Sequence, residues 1–360
     1  MRIGINAALS SAREGYRQTG ISRYISELVD GLERIKDPAD KVLLFGQKTG
    51  PIKENPMARI LWEQSLLPVN IATRRLSVFH TPIGAVPLLS VAPTVVTVHD
   101  LAFLKFPDQL PSSRRKWLIA ATRMSARRAG KIITVSEATA RDLREWLNVP
   151  ESKIQAIPLA TSGKVERVEG TSLDMFRLKW GIDRPYVVAV GTLEPRKNLP
   201  TLLRAFAKIK DDIDHQLVLV GPEGWLTGEL KSTLEELELG DRVRLTGFVS
   251  DEELGGWYSG ADLLAFPSYY EGFGLPAIEA MNCGTPVLSS DNSVFPEVVG
   301  DAGVMIPADD VDVWAETMRD LLRDESRRMD MRERGFQRAT EFSWDRTARQ
   351  TYEVYRELSS

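Results

Sequence analysis

Tyr186-Val187-Val188-Ala189-Val190-Gly191-Thr192-Leu193-Glu194-Pro195-Arg196-Lys197 decides the fold of this chain. Its five apolar residues end in a glycine turn, the pattern of a strand buried in a parallel sheet, and two cations follow at the carboxyl end. A helical pattern comes next, and then the alternation repeats. Short apolar runs at 186–190, 216–220, 242–246, 262–266, 286–289 and 303–306 read as strands separated by longer helical stretches. Upstream, runs at 2–6, 41–46, 77–80, 94–98, 131–135 and 154–157 read the same way. This alternation predicts an α/β chain of doubly wound parallel sheets. Because it starts afresh at residue 186, we expect two Rossmann-like domains facing each other, with ligands at the carboxyl ends of the strands where they meet. The expected domains are 1–165 and 166–341. Between them, Pro158 to Gly170 is a run of Thr, Ser, Gly and charges without apolar periodicity, and Phe342, Trp344, Tyr352, Val354 and Tyr355 mark a final helix at 342–360.

With 360 residues, 43% of them hydrophobic, the chain can bury two cores of ordinary size. No apolar run approaches the roughly 20 residues of a membrane span. Met1-Arg2-Ile3-Gly4-Ile5-Asn6 reads as an immediate strand rather than a signal peptide, so a cytoplasmic location is expected. The single cysteine, Cys283, excludes an internal disulfide and a cysteine-based metal cluster, and its setting before an apolar strand marks it as a small packing residue.

Net charge is −4 but unevenly spread: residues 1–170 hold 25 Lys and Arg against 16 Asp and Glu, leaving 21 against 34 for the remainder. Residues 112–131 carry Arg114, Arg115, Lys116, Arg123, Arg127, Arg128 and Lys131 with no acidic residue, and Trp117, Leu118, Ile119 and Met124 interleave with them. That segment reads as a basic amphipathic helix. It either packs one face into a core, leaving a solvated basic face, or offers a patch to anionic lipid headgroups or a polyprenyl-diphosphate acceptor. Nucleic acid is not an expected partner, because the pI is near 5.7 and no recognition motif accompanies the patch.

The densest chemistry lies in Glu271-Gly272-Phe273-Gly274-Leu275-Pro276-Ala277-Ile278-Glu279. Pro276 suits the first position of a helix, which puts the amides of Gly272, Phe273, Gly274 and Leu275 where partial positive charge favours a phosphate. Glu271 and Glu279 make sense beside that anion if they reach past it, one to sugar hydroxyls and the other to ribose hydroxyls. Arg196 and Lys197 suit a diphosphate whose charge grows as a glycosidic bond breaks. The set describes a site for a sugar nucleotide. Gly20, in Gln18-Thr19-Gly20-Ile21 ahead of a helix with Tyr24, Leu28 and Leu32, lets backbone amides come close to a phosphate. His99 closes the run Thr94–Val98, where a hydrogen-bonded core histidine is the ordinary reading, and Asp100 caps the next turn. His80 is open between lining an acceptor cleft and structural burial, Glu297 between a donor-side contact and a cap, and His215, in a polar loop, reads as exposed. Neither half opens with Gly-x-Gly-x-x-Gly after its first strand, which argues against a dinucleotide-dependent dehydrogenase.

These segments resemble the GT-B retaining glycosyltransferases of family 4 (glycosyl transferases group 1), whose signature is two glutamates with seven residues between them, here Glu271 and Glu279. Gly191 to Asn198 resembles the family's donor-phosphate loop, Val98-His99-Asp100 its active-site histidine strand, and Cys283-Gly284-Thr285-Pro286-Val287 the strand after the signature helix. Leu61-Trp62-Glu63-Gln64-Ser65-Leu66-Leu67-Pro68 and Val78-Phe79-His80 look most like the branch of bacterial polysaccharide mannosyltransferases. The resemblance implies catalytic roles for His99, Arg196, Lys197 and Glu271, and donor binding by Gly20, Gly272, Phe273, Gly274, Leu275 and Glu279. Many relatives carry two adjacent glycines where this chain has Thr19-Gly20.

It further implies a last helix that crosses onto the first domain, no cofactor, no metal site, and a front-face route in which the leaving phosphate deprotonates the incoming hydroxyl. The implied donor is a nucleotide sugar, GDP-mannose, and the acceptor a glycan or polyprenyl-diphosphate-linked glycan in cell-surface polysaccharide synthesis. The implied location is cytoplasmic, peripheral on the inner face of the membrane. A sugar-nucleotide epimerase or phosphorylase of related fold and a non-catalytic nucleotide-sugar-binding protein are the rival expectations.

Overall fold

The structure is a computed structural model that describes residues 1–10, 20–46, 56–83, 86–87, 89–225 and 227–359. The chain divides into two compact units, Met1–Ala160 with Ser343–Ser360, and Thr161–Phe342. All twelve expected strands form within one residue of their expected ends.

The first unit contains β1 (Arg2–Asn6), β2 (Lys41–Phe45), β3 (Val78–Thr81), β4 (Thr94–Val98), β5 (Lys131–Thr134) and β6 (Ile154–Ala156), in one sheet of order β2-β1-β3-β4-β5-β6. All neighbours are parallel, and Ile5 lies beside His80. Ile3, Ile5, Phe79, Val95, Val96 and Ile132 are fully buried because helices cover both faces of such a sheet. The helix Gly20–Ile35 carries the chain from β1 to β2 and buries Tyr24, Ile25, Leu28 and Leu32 on one stripe. The helix Trp344–Ser359 packs beside it. A Cβ on Gly31 would lie 2.8 Å from Ala348 Cβ, so the two helices approach closely there. Arg34 Nη2 also donates to Asp345 Oδ1 at 2.7 Å, and Thr347 Oγ1 to the Pro158 carbonyl at 2.7 Å.

The second unit contains β7 (Tyr186–Val190), β8 (Gln216–Val220), β9 (Val243–Gly247), β10 (Leu263–Phe266), β11 (Val287–Ser290) and β12 (Val304–Ile306). They form a second all-parallel sheet of order β12-β11-β10-β7-β8-β9 over a core that includes Val187, Leu202, Phe206, Leu217, Leu263, Trp314 and Met318. Each sheet reverses its winding once, between β1 and β3 in the first unit and between β7 and β10 in the second. In open sheets of this kind, the crevice for ligands lies outside the carboxyl ends of the strands at that reversal.

The helix Ser112–Arg128 forms, but the face it buries is Thr122, Ser125 and Ala126, with Ser125 Oγ accepting from the Val86 amide at 3.0 Å. Small residues let the helix sit close to its neighbours. Two of its large apolar side chains, Trp117 and Met124, are 42% and 41% exposed among the arginines. Leu118 and Ile119 are half-buried, so the apolar residues of the segment are divided between packing and solvent. No helix among the described residues is long and apolar enough to cross a membrane.

Candidate active site

β7 ends at Val190, and the chain turns through Gly191 before a single helical turn, Pro195–Lys197. The turn must hug the neighbouring strand. Gly191 N donates to Val220 O at 2.9 Å, and a Cβ on Gly221 would sit 2.1 Å from Gly191 O, an approach that only glycine permits. Pinned in this way, the loop delivers Arg196 and Lys197 at the carboxyl end of β7. Five residues past β10 stands Glu271, buried and clamped by both. Arg196 Nη1 donates to Glu271 Oε2 at 2.7 Å, and Lys197 Nζ to Oε1 at 2.6 Å. Lys197 also lies 5.3 Å over the Phe266 ring, and Arg196 Nη1 reaches the Tyr270 carbonyl at 3.1 Å. β7 and β10 are adjacent, so residues 75 apart in sequence meet at the reversal of the sheet.

Burial alone would raise the carboxyl of Glu271, but the charges of Arg196 and Lys197 overcome it and hold the pKa at about 2. A second carboxylate, Glu194, pairs with Arg196 Nε, and there burial prevails over the cations and raises the pKa. Ser293, at φ 55°, braces Glu271 from behind: its Oγ accepts from the Glu271 amide at 3.1 Å and donates to the carbonyl at 2.8 Å. Lys197 spends one of its three ammonium donors on Glu271, leaving two for an incoming anion.

Beside this cluster begins the helix Leu275–Asn282, with Gly274 as its cap at φ 81°. Pro276 occupies the second helical position rather than the first as expected. The shift leaves the logic intact, because the amide at that position also has no partner within a helix. Gly272, Phe273 and Gly274 are buried and Leu275 half-buried, with Phe273 edge-on to Phe342 at 5.8 Å. Glu279, only 2% exposed, accepts from the Tyr258 hydroxyl at 3.0 Å. Glu297 lies in the first turn of the short helix Phe295–Val298.

The remaining expected residues belong to the first unit. His99 follows β4, half-buried, and donates from Nε2 to the Pro82 carbonyl at 3.1 Å, which leaves Nδ1 as the acceptor of a neutral ring. Burial, opposed by the Pro82 carbonyl and Asp100, holds its pKa below the ordinary value, and Tyr24 packs edge-on at 4.9 Å. Asp100 accepts from the Ala102 amide at 3.0 Å, as a turn cap. Gly20 is the exposed first residue of its helix, while Gln18 and Thr19 lie outside the described residues. His80 is fully buried, with Nδ1 on the Tyr355 hydroxyl at 2.5 Å and Nε2 on the Thr97 hydroxyl at 2.7 Å. Burial pushes it down to about 3, and it is a neutral strut between β3, β4 and the last helix.

His215 is not exposed as expected. Its ring Nε2 meets Asp262 Oδ2 at 3.1 Å, because the loop before β8 folds against the residue that precedes β10. Cys283 is buried, and burial raises its thiol to about 12, so it is inert packing. Sequence reasoning assigned no role to Glu194, Ser293 or Tyr258. Only Glu194 carried a signal, an acidic residue two positions before Arg196 on the same turn.

Comparison with known proteins gives matches over both units. Residues 172–338 match the family described as glycosyl transferases group 1, and residues 19–161 match glycosyltransferase family 4. The O-antigen chain mannosyltransferase B of Escherichia coli is 30% identical over 374 residues, covering 95% of this chain and 97% of its own. The MMP alpha-(1->4)-mannosyltransferase of Mycolicibacterium hassiacum is 31% identical, covering 73% of this chain and 65% of its own. Among solved structures, a sucrose-phosphate synthase from Thermosynechococcus elongatus superposes with a TM-score of 0.77 at 23% identity, covering 99% of this chain and 98% of that one.

Proposed function

The chain belongs to the family-4 glycosyltransferases, and from that premise we propose that it transfers mannose from GDP-mannose, with retention, to a glycan or lipid-linked glycan acceptor of cell-surface polysaccharide synthesis. The observation that carries this reading is the clamp of Arg196 and Lys197 on Glu271 beside the Gly274-capped helix. Breaking the bond between the anomeric carbon and the diphosphate leaves an electron pair on a phosphate oxygen. Two cations held in place before the reaction stabilise that charge without reorganising, which is where most electrostatic catalysis arises.

A diphosphate at the amides of residues 272–275 shares Arg196 and Lys197 with Glu271, whose oxygens then accept from hydroxyls of the donor sugar. The departing phosphate oxygen takes the proton of the acceptor hydroxyl as the new glycosidic bond forms on the same face, so the anomeric configuration is kept. Glu279, anchored by Tyr258, serves the ribose. His99 presents a neutral imidazole whose orientation is fixed by Pro82. Mannose is favoured by the names of two of the relatives, each a mannosyltransferase.

The reading includes contact with an anionic bilayer through the helix Ser112–Arg128. Trp117 and Met124 standing outward among cations suit a headgroup layer, since an indole has an apolar body and a polar edge. The test is release of nucleoside diphosphate from a panel of GDP-, UDP- and ADP-sugars, with and without bacterial lipid extract and anionic vesicles. GDP from GDP-mannose, stimulated by lipid, with the product's anomeric configuration read by NMR, is the expected result. Release from a UDP- or ADP-sugar alone discards mannose and keeps the transferase. Inversion discards the front-face route, and unaltered rates with no sedimentation on vesicles discard the membrane contact.

A further inference from the structure

The winding of the first sheet reverses between β1 and β3, and a buried carboxylate that no role above uses stands at that reversal. Glu63, on the helix Pro56–Gln64, is 3% exposed. Its Oε1 accepts from Asn6 Nδ2 at 3.1 Å, and Asn6 is the last residue of β1. Asn6 is itself held, its Oδ1 accepting from the Ala8 amide at 3.1 Å. Among the described residues the cation paired with it is Arg59, whose Nε lies 4.0 Å from the same oxygen, too far for a hydrogen bond, and that Nε is buried with no partner among them. No donor among the described residues reaches Glu63 Oε2.

Such a group is costly to the fold. Burial raises the pKa of Glu63 against the pull of Asn6 and Arg59, so its charge is under-compensated. A glutamine would keep the bond to Asn6 without that cost, so stability does not explain a glutamate here. What remains is a fixed acceptor oxygen at the place where a doubly wound sheet binds ligands. Phosphate and other anions are repelled by it, and an apolar ligand leaves its lone pairs bare. Hydroxyl groups satisfy them.

We propose that Glu63 Oε2, oriented by Asn6, accepts a hydrogen bond from a hydroxyl of a neutral saccharide, the sugar end of the acceptor. The proposal rests on the glycosyltransferase reading for the word acceptor, but binding of a saccharide can be measured without turnover. Titration of wild type, Glu63→Gln and Glu63→Ala with neutral disaccharides of mannose, glucose and galactose, followed by ligand-observed NMR, is the test, with GDP affinity and melting temperature recorded for each protein. We expect wild type to bind at least one disaccharide. Glu63→Gln should bind it about tenfold more weakly and Glu63→Ala weaker still, with GDP affinity within twofold of wild type and no lower melting temperature for Glu63→Gln. Equal saccharide affinity in Glu63→Gln overturns the proposal, as does wild type that binds none of the disaccharides, or a parallel loss of GDP affinity. Failure of the transferase reading is seen elsewhere, as the absence of nucleoside diphosphate release from wild type.

Discussion

Two doubly wound sheets of different strand order gather different chemistry at the place where each reverses. Between β7 and β10, two cations clamp Glu271 and hold it ionised down to about pH 2. Between β1 and β3, Glu63 has one amide and a cation at 4.0 Å, and burial moves its pKa the other way. Topology explains why polar groups collect at both places, since strand ends there diverge and leave a crevice. It does not set their ionisation. What sets it is the number of compensating donors within bonding distance, several around Glu271 and one at Glu63.

Lys197→Ala leaves Arg196 as the one cation of the clamp and should lower the rate of nucleoside diphosphate release by about 100- to 1,000-fold, roughly 3 kcal/mol of transition-state stabilisation. A loss under tenfold would mean that the clamp is structural.

Both carboxyls make stability depend on pH, with opposite signs. Glu271 titrates lower in the fold than its ordinary 4.5, so its contribution is complete above pH 4.5 and is lost as pH falls toward 2. The shift corresponds to about 3 kcal/mol. Denaturant melts of wild type between pH 5 and 2 should fall more steeply than those of Glu271→Gln, and equal slopes would refute the assignment. Glu63 titrates higher than its ordinary value, so its favourable share is complete below pH 4.5 and is lost as pH rises through the folded value. Removing that charge should help at neutral pH. Glu63→Gln is expected to gain roughly 1 kcal/mol at pH 7 and nothing at pH 4, measured by the same melts. The smallest effect is at the helix cap. Gly274→Ala meets no atom nearer than 3.6 Å, so only the positive φ opposes it, and stability should drop by about 1 kcal/mol or slightly less.

Much of this was legible in the residues. The strands announced themselves as short apolar runs, because burial on both faces of a parallel sheet demands apolar side chains at successive positions. Arg196 and Lys197 were legible for a related reason: a pair of cations directly after such a run must stand at a strand's carboxyl end. The signature glutamates came from their spacing. What Trp117 and Met124 face is open in the sequence, because apolar residues at helical intervals say that a helix has a stripe and not what it faces. His215 was misread because a polar loop says nothing of Asp262, 47 residues away, which holds its ring. Glu194, Ser293 and Tyr258 gave little local signal, since each acts through a partner at the site rather than through its neighbours in sequence.

By itself, then, the sequence determined twelve strands, two doubly wound units and the loop that bears the cations, all of which follow from local patterns of hydrophobicity and turn chemistry. Only the tertiary structure decided that Glu271 binds both cations, that His80 is a buried strut rather than a lining of the acceptor cleft, and that Glu63 meets Asn6 across 57 positions of chain. The physical reason is strand order. Side chains from β7 and β10, or from β1 and the helix before β3, become neighbours because their strands pair across intervening sequence, and a charge's ionisation depends on neighbours in space.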